Sequence, residues 1–358
     1  MKKSLIALAV AGAFAAPAFA ATSNVDVYGV LNIAVQDTDG TNVSPAVLDN
    51  TSRIGFKGSE DLGGGMKAIW QIESALGGNG ATMGTPTATN GLASRNTFVG
   101  LSGGFGTVLA GRHDTPYKLG TASLDPFADT IADANLGRLN GVELTMNAHD
   151  ARVGNALAYI SPTWSGFHFA AAVVYADDTL STTACTSGDC KESTTDGVSL
   201  TGVYANGPLF ASLSYQNVMD VGGASADSDA IKLGLGYTLG DAKVGFVYEK
   251  VGLDAAGAQD RTSWQINGTY NMGAIALKAA YGTVSDDQFA NGNDQSMWAL
   301  GVDYNLSKRT TAYFVYGNGD SDRSNAAATF TPAAGNLTAA SSIAGDVSGW
   351  NIGIKHSF

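Results

Sequence analysis

From Val25 onward the chain alternates. Val25, Val27, Gly29, Leu31, Ile33 and Val35 fall on one face of an extended segment, with Asp26, Asn32 and Gln36 on the other, the two-residue period of a strand with one apolar face. The last segment, Gly349 to Phe358, repeats the pattern: Trp350, Ile352, Ile354, His356 and Phe358 oppose Asn351, Gly353, Lys355 and Ser357. Between them lie Ile54 and Phe56 against Arg53 and Lys57, then Ala68, Trp70 and Ile72 against Ile69, Gln71 and Glu73. The turn Glu60 to Gly65 joins these two into a hairpin. Later runs place Ile231, Leu233, Leu235 and Tyr237 on one face, then Val244, Phe246 and Tyr248, then Trp264, Ile266 and Tyr270, then Trp298, Leu300, Val302 and Tyr304. Two strands have no assignable face: Ala312, Phe314 and Tyr316 oppose the equally apolar Tyr313 and Val315, and Val99 and Leu101 oppose Phe98.

Short glycine-rich turns alternate with long polar connections. An aromatic at the end of the terminal apolar face has no following chain to shield it, whereas lipid would. Most apolar faces carry a Tyr or Trp near one end, as a belt at the headgroup level does. No later stretch offers the roughly 18 apolar residues of a spanning helix, so membrane residence must be by strands closed on themselves. At about 20 residues per strand and connection, the chain predicts an all-β, antiparallel transmembrane barrel of about sixteen strands. A soluble sandwich or solenoid is the alternative, since alternation alone also serves one.

The first residues are not part of that barrel. Lys2 and Lys3, the apolar run Leu5 to Phe14, and Ala18-Phe19-Ala20 have the layout of a secretory signal. This gives a signal peptide over residues 1–20 and one barrel domain over 21–358. In an exported protein Cys185 and Cys190, spaced Cys-Thr-Ser-Gly-Asp-Cys in a polar connection, read as a local disulfide, because no nearby His completes a metal set.

One connection is exceptional. The segment from Asp114 to Asp150 is longer than compact folds use without a functional reason, and it carries Asp125, Asp129, Asp133, Arg138, Asn140 and Glu143. A barrel of this size leaves a wide lumen that an inward-folded loop narrows. Strands on either side of the loop supply Arg53, Lys57, Arg95, Arg112 and Arg152. An Arg facing the bilayer midplane costs about 2–4 kcal/mol, so these bases are expected to face the lumen. They form either a transverse field opposite the loop acids or a set of salt bridges that pin the loop.

Enzyme signatures are scarce. His113, His149, His168 and His356 are scattered, and no nucleophile elbow, zinc motif or phosphate loop occurs. No cofactor, metal or nucleic acid is expected. His113 beside Asp114 is the one candidate pair for a barrel hydrolase. Without Lys2 and Lys3, 18 of the 20 basic residues remain against 32 acidic ones, but many acids fall in loops and describe the outer surface more than the pore.

Several segments carry a resemblance: Val27-Tyr28-Gly29, Ser52 through Gly65, Arg95-Asn96-Thr97-Phe98-Val99-Gly100-Leu101, Gly104-Phe105-Gly106, Ala110-Gly111-Arg112, Leu306 through Thr310 and Gly353 through Phe358. Together they resemble the Gram-negative general porins, in particular the betaproteobacterial and neisserial branch, over essentially the full length. The resemblance implies a sixteen-stranded homotrimer in the outer membrane, in contact with lipid and lipopolysaccharide, with the third loop folded into the pore. It implies passive diffusion of ions and small hydrophilic solutes with an anion preference, and a role for Phe358 in the signal read by the barrel-assembly machinery. Ala158 stands where members of the branch often carry a further base, which weakens the anion inference. The functional expectation is therefore a diffusion porin with weak anion preference, and the alternatives are a substrate-specific outer-membrane channel and, more remotely, a barrel hydrolase.

Overall fold

The computed structural model describes residues 24–39, 45–77, 91–135, 144, 149–175, 195–219, 227–254, 260–286, 294–321, 328–331, 336–339 and 345–358. The signal segment 1–20, Cys185 and Cys190, and Arg138, Asn140 and Glu143 lie outside the described residues.

The strands are β1 (Asn24–Thr38), β2 (Ala46–Asp49), β3 (Arg53–Gly63), β4 (Met66–Ala75), β5 (Thr97–Gly103), β6 (Gly106–Asp114) and β7 (Arg152–Ile160). They continue as β8 (Phe167–Tyr175), β9 (Thr195–Asn206), β10 (Leu209–Val218), β11 (Ser228–Leu239), β12 (Ala242–Leu253) and β13 (Arg261–Met272). The last are β14 (Ile275–Asp286), β15 (Gln295–Asn305), β16 (Thr310–Ser321), β17 (Ala328–Thr331), β18 (Asn336–Ala339) and β19 (Gly345–Ser357).

Each barrel strand pairs antiparallel with the next, and β1 closes the ring on β19 from Val30↔Ser357 to Thr38↔Gly349. Both β2 and β3 pair with β1, at Ile33–Gln36 and Asn24–Val30 respectively. They are two halves of one barrel strand, broken at Asn50–Ser52, where Thr51 has φ 65°. The 17 strands of the sheet thus make sixteen staves, as the spacing predicts. The β17–β18 hairpin pairs apart from the ring, between β16 and β19.

The barrel is inverted relative to a soluble sheet, as a lipid exterior requires. Outward Val27 and Ile354 are 56% and 50% exposed, while inward Asn32, Lys232 and Glu249 are 1%, 0% and 0% exposed. Water and lipid on opposite faces enforce the alternation that the sequence displays.

The two ambiguous strands resolve for a physical reason. Val99, Leu101 and Phe314 are exposed on the outside. Inside, Tyr313 and Val315 join Ala34, Phe127, Ile131, Ala132, Leu144, Val284 and Met297 in one dry cluster. Phe127 and Ile131 belong to the long loop, so the loop covers this part of the wall and makes an apolar inward face favourable. Burying each such side chain is worth about 1.5–3 kcal/mol. Phe98 likewise packs inward, on Leu109, Ala158 and Ala172. The main hydrophobic core therefore lies inside the barrel, between loop and wall.

Candidate functional site

The long loop leaves β6 at Asp114 and returns at Arg152, and it follows the inner wall for much of the circumference. It opens with a one-turn helix, α1 (Pro116–Leu119), started by the Thr115 side chain, which accepts from the Lys118 N–H, and by Pro116 in the first turn. Tyr117 is fully buried. Its N–H donates to Ser199 Oγ at 2.9 Å and its hydroxyl to Glu249 Oε1 at 2.8 Å. The Lys232 ammonium sits 4.1 Å from the Tyr117 ring centroid. It pairs with Asp150 from the far end of the loop and, at 3.4 Å, with Glu249, which also meets Arg261 at 3.1 Å. Both roots of the loop are therefore tied to one buried set of charges on β11, β12 and β13.

His149 completes this anchor, 3.0 Å from Ser228 Oγ and with its carbonyl accepting from Gln216 at 2.9 Å. Burial pushes the imidazole down to about 4, against the pull of Glu249. Burial pushes the Asp150 carboxyl up, with Lys232 opposing.

The loop then reaches β14–β16 and turns back on itself. Asp125 accepts from the N–H groups of Phe127 at 2.8 Å and Ala134 at 3.2 Å. Asp133 accepts from those of Asp129 at 2.7 Å and Asn135 at 2.9 Å. The expectation that all three acids line the pore as a field is therefore corrected for these two. Both carboxylates hold the turn through these bonds, and Asp133 is buried. Burial, with the neighbouring Asp133 second, pushes Asp125 up to about 7.

Asp129 alone presents its carboxylate to the wall. It lies 3.4 Å from Arg53 Nη1 and 3.6 Å from Lys355 Nζ, and it accepts from the Thr51 hydroxyl. Asn32 donates to its carbonyl at 2.9 Å. Next along the same wall, on β4, Glu73 pairs with Arg95 at 2.6 Å and also accepts from Tyr28 at 2.9 Å. Asp114 sits between Arg152 at 2.9 Å and Lys118 at 3.1 Å, with Asn96 donating to it at 2.9 Å.

Arg112 differs from its neighbours. The β6–β7 register shifts between Gly111 and His113, a bulge that re-aims the side chain between them. Its Nε donates to the Ser94 carbonyl at 3.2 Å, and among the described residues it has no carboxylate partner. Lys57 is placed away from the others, four residues and about 13 Å along β3 from Arg53, with its ammonium 5.2 Å from the Tyr28 ring. Four of the five sequence-predicted bases thus border the narrowing. The sequence reading missed Glu73, Asp114, Lys118 and Lys355 as members, although the alternation already put Glu73 and Lys355 on polar faces.

The hydrolase pair does not form. His113 Nδ1 meets the backbone carbonyl of Asp114 at 3.1 Å, not its carboxylate, and that carboxylate serves Arg152 and Lys118.

Comparison with known proteins agrees with this architecture. The family description "Gram-negative porin" matches residues 7–324. The chain is 33% identical to outer membrane porin protein 32 of Delftia acidovorans over 374 aligned residues, covering 100% of both. It is 30% identical to the major outer membrane protein P.IB of Neisseria sicca, over 87% of this chain and 92% of that one. Among solved structures, the anion-selective porin from Comamonas acidovorans superposes with TM-score 0.74 at 26% identity, covering 94% of this chain and 100% of that one. The trimer form of OmpT from Vibrio cholerae shares the fold, with TM-score 0.67 at 18% identity over 94% and 99%. A sixteen-stave barrel with polar groups inside, a lipid-facing exterior and a loop folded into its lumen, matched over nearly its whole length, belongs to the Gram-negative porin family of outer-membrane channels.

Proposed function

We propose that this porin passes ions and small hydrophilic solutes by diffusion, with a weak preference for anions set at the narrowing between the Asp129 tip and the β3–β7 wall. The observation that carries this reading is the sharing of carboxylates. Among the described residues, Arg53, Arg95, Arg152, Lys118 and Lys355 pair with Glu73, Asp114 and Asp129, two of which are each split between two cations, and Arg112 forms no ion pair. Among the described residues of the narrowing, cations thus outnumber the carboxylates they pair with, and the excess positive charge, offset in part by Asp133 behind the tip, lies in a confined aqueous space where low-dielectric walls focus the field. Arg53 and Lys355 both pin the loop tip and charge the pore, so for these two the pinning and the field are one arrangement. The anion selectivity of the Comamonas acidovorans relative supports the same sign.

Swelling of proteoliposomes in neutral sugars of increasing size tests diffusion against substrate specificity. A smooth fall in rate with size fits a general channel; one solute entering far faster than others of its size would favour a substrate-specific one.

The same reading includes removal of residues 1–20 on export, a Cys185–Cys190 disulfide, contact with lipopolysaccharide, and assembly as a homotrimer through the barrel-assembly machinery with Phe358 as part of its signal. The trimer form of the Vibrio cholerae relative supports the homotrimer.

A further inference from the structure

Beneath the loop tip, toward the mouth rimmed by the short turns, the wall and the loop border a half-open pocket of about 330 Å³. Its wall is one inward row across adjacent strands: Lys355 on β19 pairs across to Thr311 on β16, and Asp303 on β15 pairs to Tyr313. Lys278 on β14 reaches in from the side, and Lys308 and Arg309 enter from the turn between β15 and β16. Four cations thus line one space.

Their carboxylates are largely committed elsewhere. Asp303 is held by Lys278 at 2.8 Å. Asp125, which roofs the cavity, spends its oxygens on two backbone N–H groups. Lys355 has only the long 3.6 Å contact to Asp129, which Arg53 shares. Lys308 and Arg309 have no carboxylate partner among the described residues. The cavity therefore holds a cationic surplus, with hydroxyl donors from Thr311 and Ser357 beside it.

We propose that this cavity is a binding station for a small dianionic oxyanion of the phosphate class, held by Lys308, Arg309 and Lys355 with Thr311 and Ser357 as neutral donors. Converging cations with hydroxyl donors match an oxyanion bearing two charges. No exposed aromatic platform lines the pocket, which disfavours sugars. The station rests on the channel reading, since solute arrives through the lumen, but it lies past the narrowing and involves different bases, apart from Lys355.

Titration calorimetry of the purified protein in mild detergent, with inorganic phosphate at constant ionic strength, tests it separately from conduction. The expected result is a saturable heat, about tenfold weaker or more in Lys308→Gln/Arg309→Gln and unchanged in Lys67→Gln, a base on β4 at the same mouth but outside the pocket. Lys308 and Arg309 sit in an exposed turn, so both variants should fold, as heat-modified migration would verify. No saturable heat in the wild type, or equal losses in the Lys67 control and the double variant, would overturn the station while leaving the pore intact. Saturable, variant-sensitive heat from a protein that does not conduct would uphold the station and sink the channel reading.

Discussion

Thr51 donates its hydroxyl to the Asp129 carboxylate, and both residues sit in the left-handed region, at φ 65° and 63°. A β-branched residue there is strained. The break between β2 and β3 and the tip of the loop therefore hold each other in conformations that neither would keep alone. The strain marks where the loop is latched to the wall, next to Arg53 and Lys355.

Asp129→Asn keeps the size of the tip and removes the charge that Arg53 and Lys355 share. The expected outcome is a reversal potential more favourable to anions. A shift toward cations would mean that the acid matters only as a latch.

Arg112 and Arg95 separate charge from structure. Arg112→Gln removes a base with no carboxylate partner, so anion preference falls while stability changes by about 0.5 kcal/mol or less. Arg95→Gln lowers the preference too, and it strips Glu73 of its 2.6 Å partner, costing about 1–3 kcal/mol. Unfolding temperatures of the two barrels, read by gel migration after heating, should therefore diverge; equal temperatures would contradict the ion-pair assignment.

His149 gives the loop root a pH dependence. Its docked pKa, about 4, lies below the ordinary 6.5, so docking favours the neutral ring. That contribution is complete above the ordinary value and is lost as pH falls from about 6.5 through about 4. The raised pKa of Asp150 works the other way, because protonation favours its buried form. The comparison with His149→Gln isolates the histidine: between pH 6.5 and 4 the wild-type loop should gain more hydrogen exchange than the variant. Identical profiles would rule out a buried neutral His149.

Gly29 and Phe358 form the seam where the barrel closes. Each donates its N–H to the other's carbonyl at 3.1 Å, and a Cβ on Gly29 would lie 2.4 Å from the Phe358 ring. Gly29→Val should cost about 1–3 kcal/mol by overpacking and lower the temperature at which the folded barrel persists on a gel. Removing Phe358 should reduce outer-membrane levels more than the conductance of the molecules that assemble. Undiminished levels would remove it from the assembly signal.

The barrel was legible because two solvents impose it: lipid on Val27 and Ile354, and water or loop on Asn32 and Lys355. Legibility failed where a third environment intervened. Tyr313 and Val315 face inward against Phe127 and Ile131, and period alone cannot distinguish a lipid-facing apolar side chain from one under a loop. The acids failed similarly. Asp125, Asp129 and Asp133 are alike in sequence, and only the fold of the turn, which engages Asp125 and Asp133 with its own N–H groups, brings Asp129 to Arg53. The buried set Lys232, Glu249 and Arg261 could be placed on the lumen face by alternation, but its union with Tyr117 and Asp150 depends on the path of the loop. No local pattern records that path.

The most direct test of the account is the reversal potential of the purified protein in a planar bilayer under a potassium chloride gradient. The excess of cations over carboxylates at the narrowing predicts a potential favouring chloride, reduced in Arg112→Gln. A potential favouring potassium, or one indifferent to Arg112, would contradict the claim that shared carboxylates leave the pore positive.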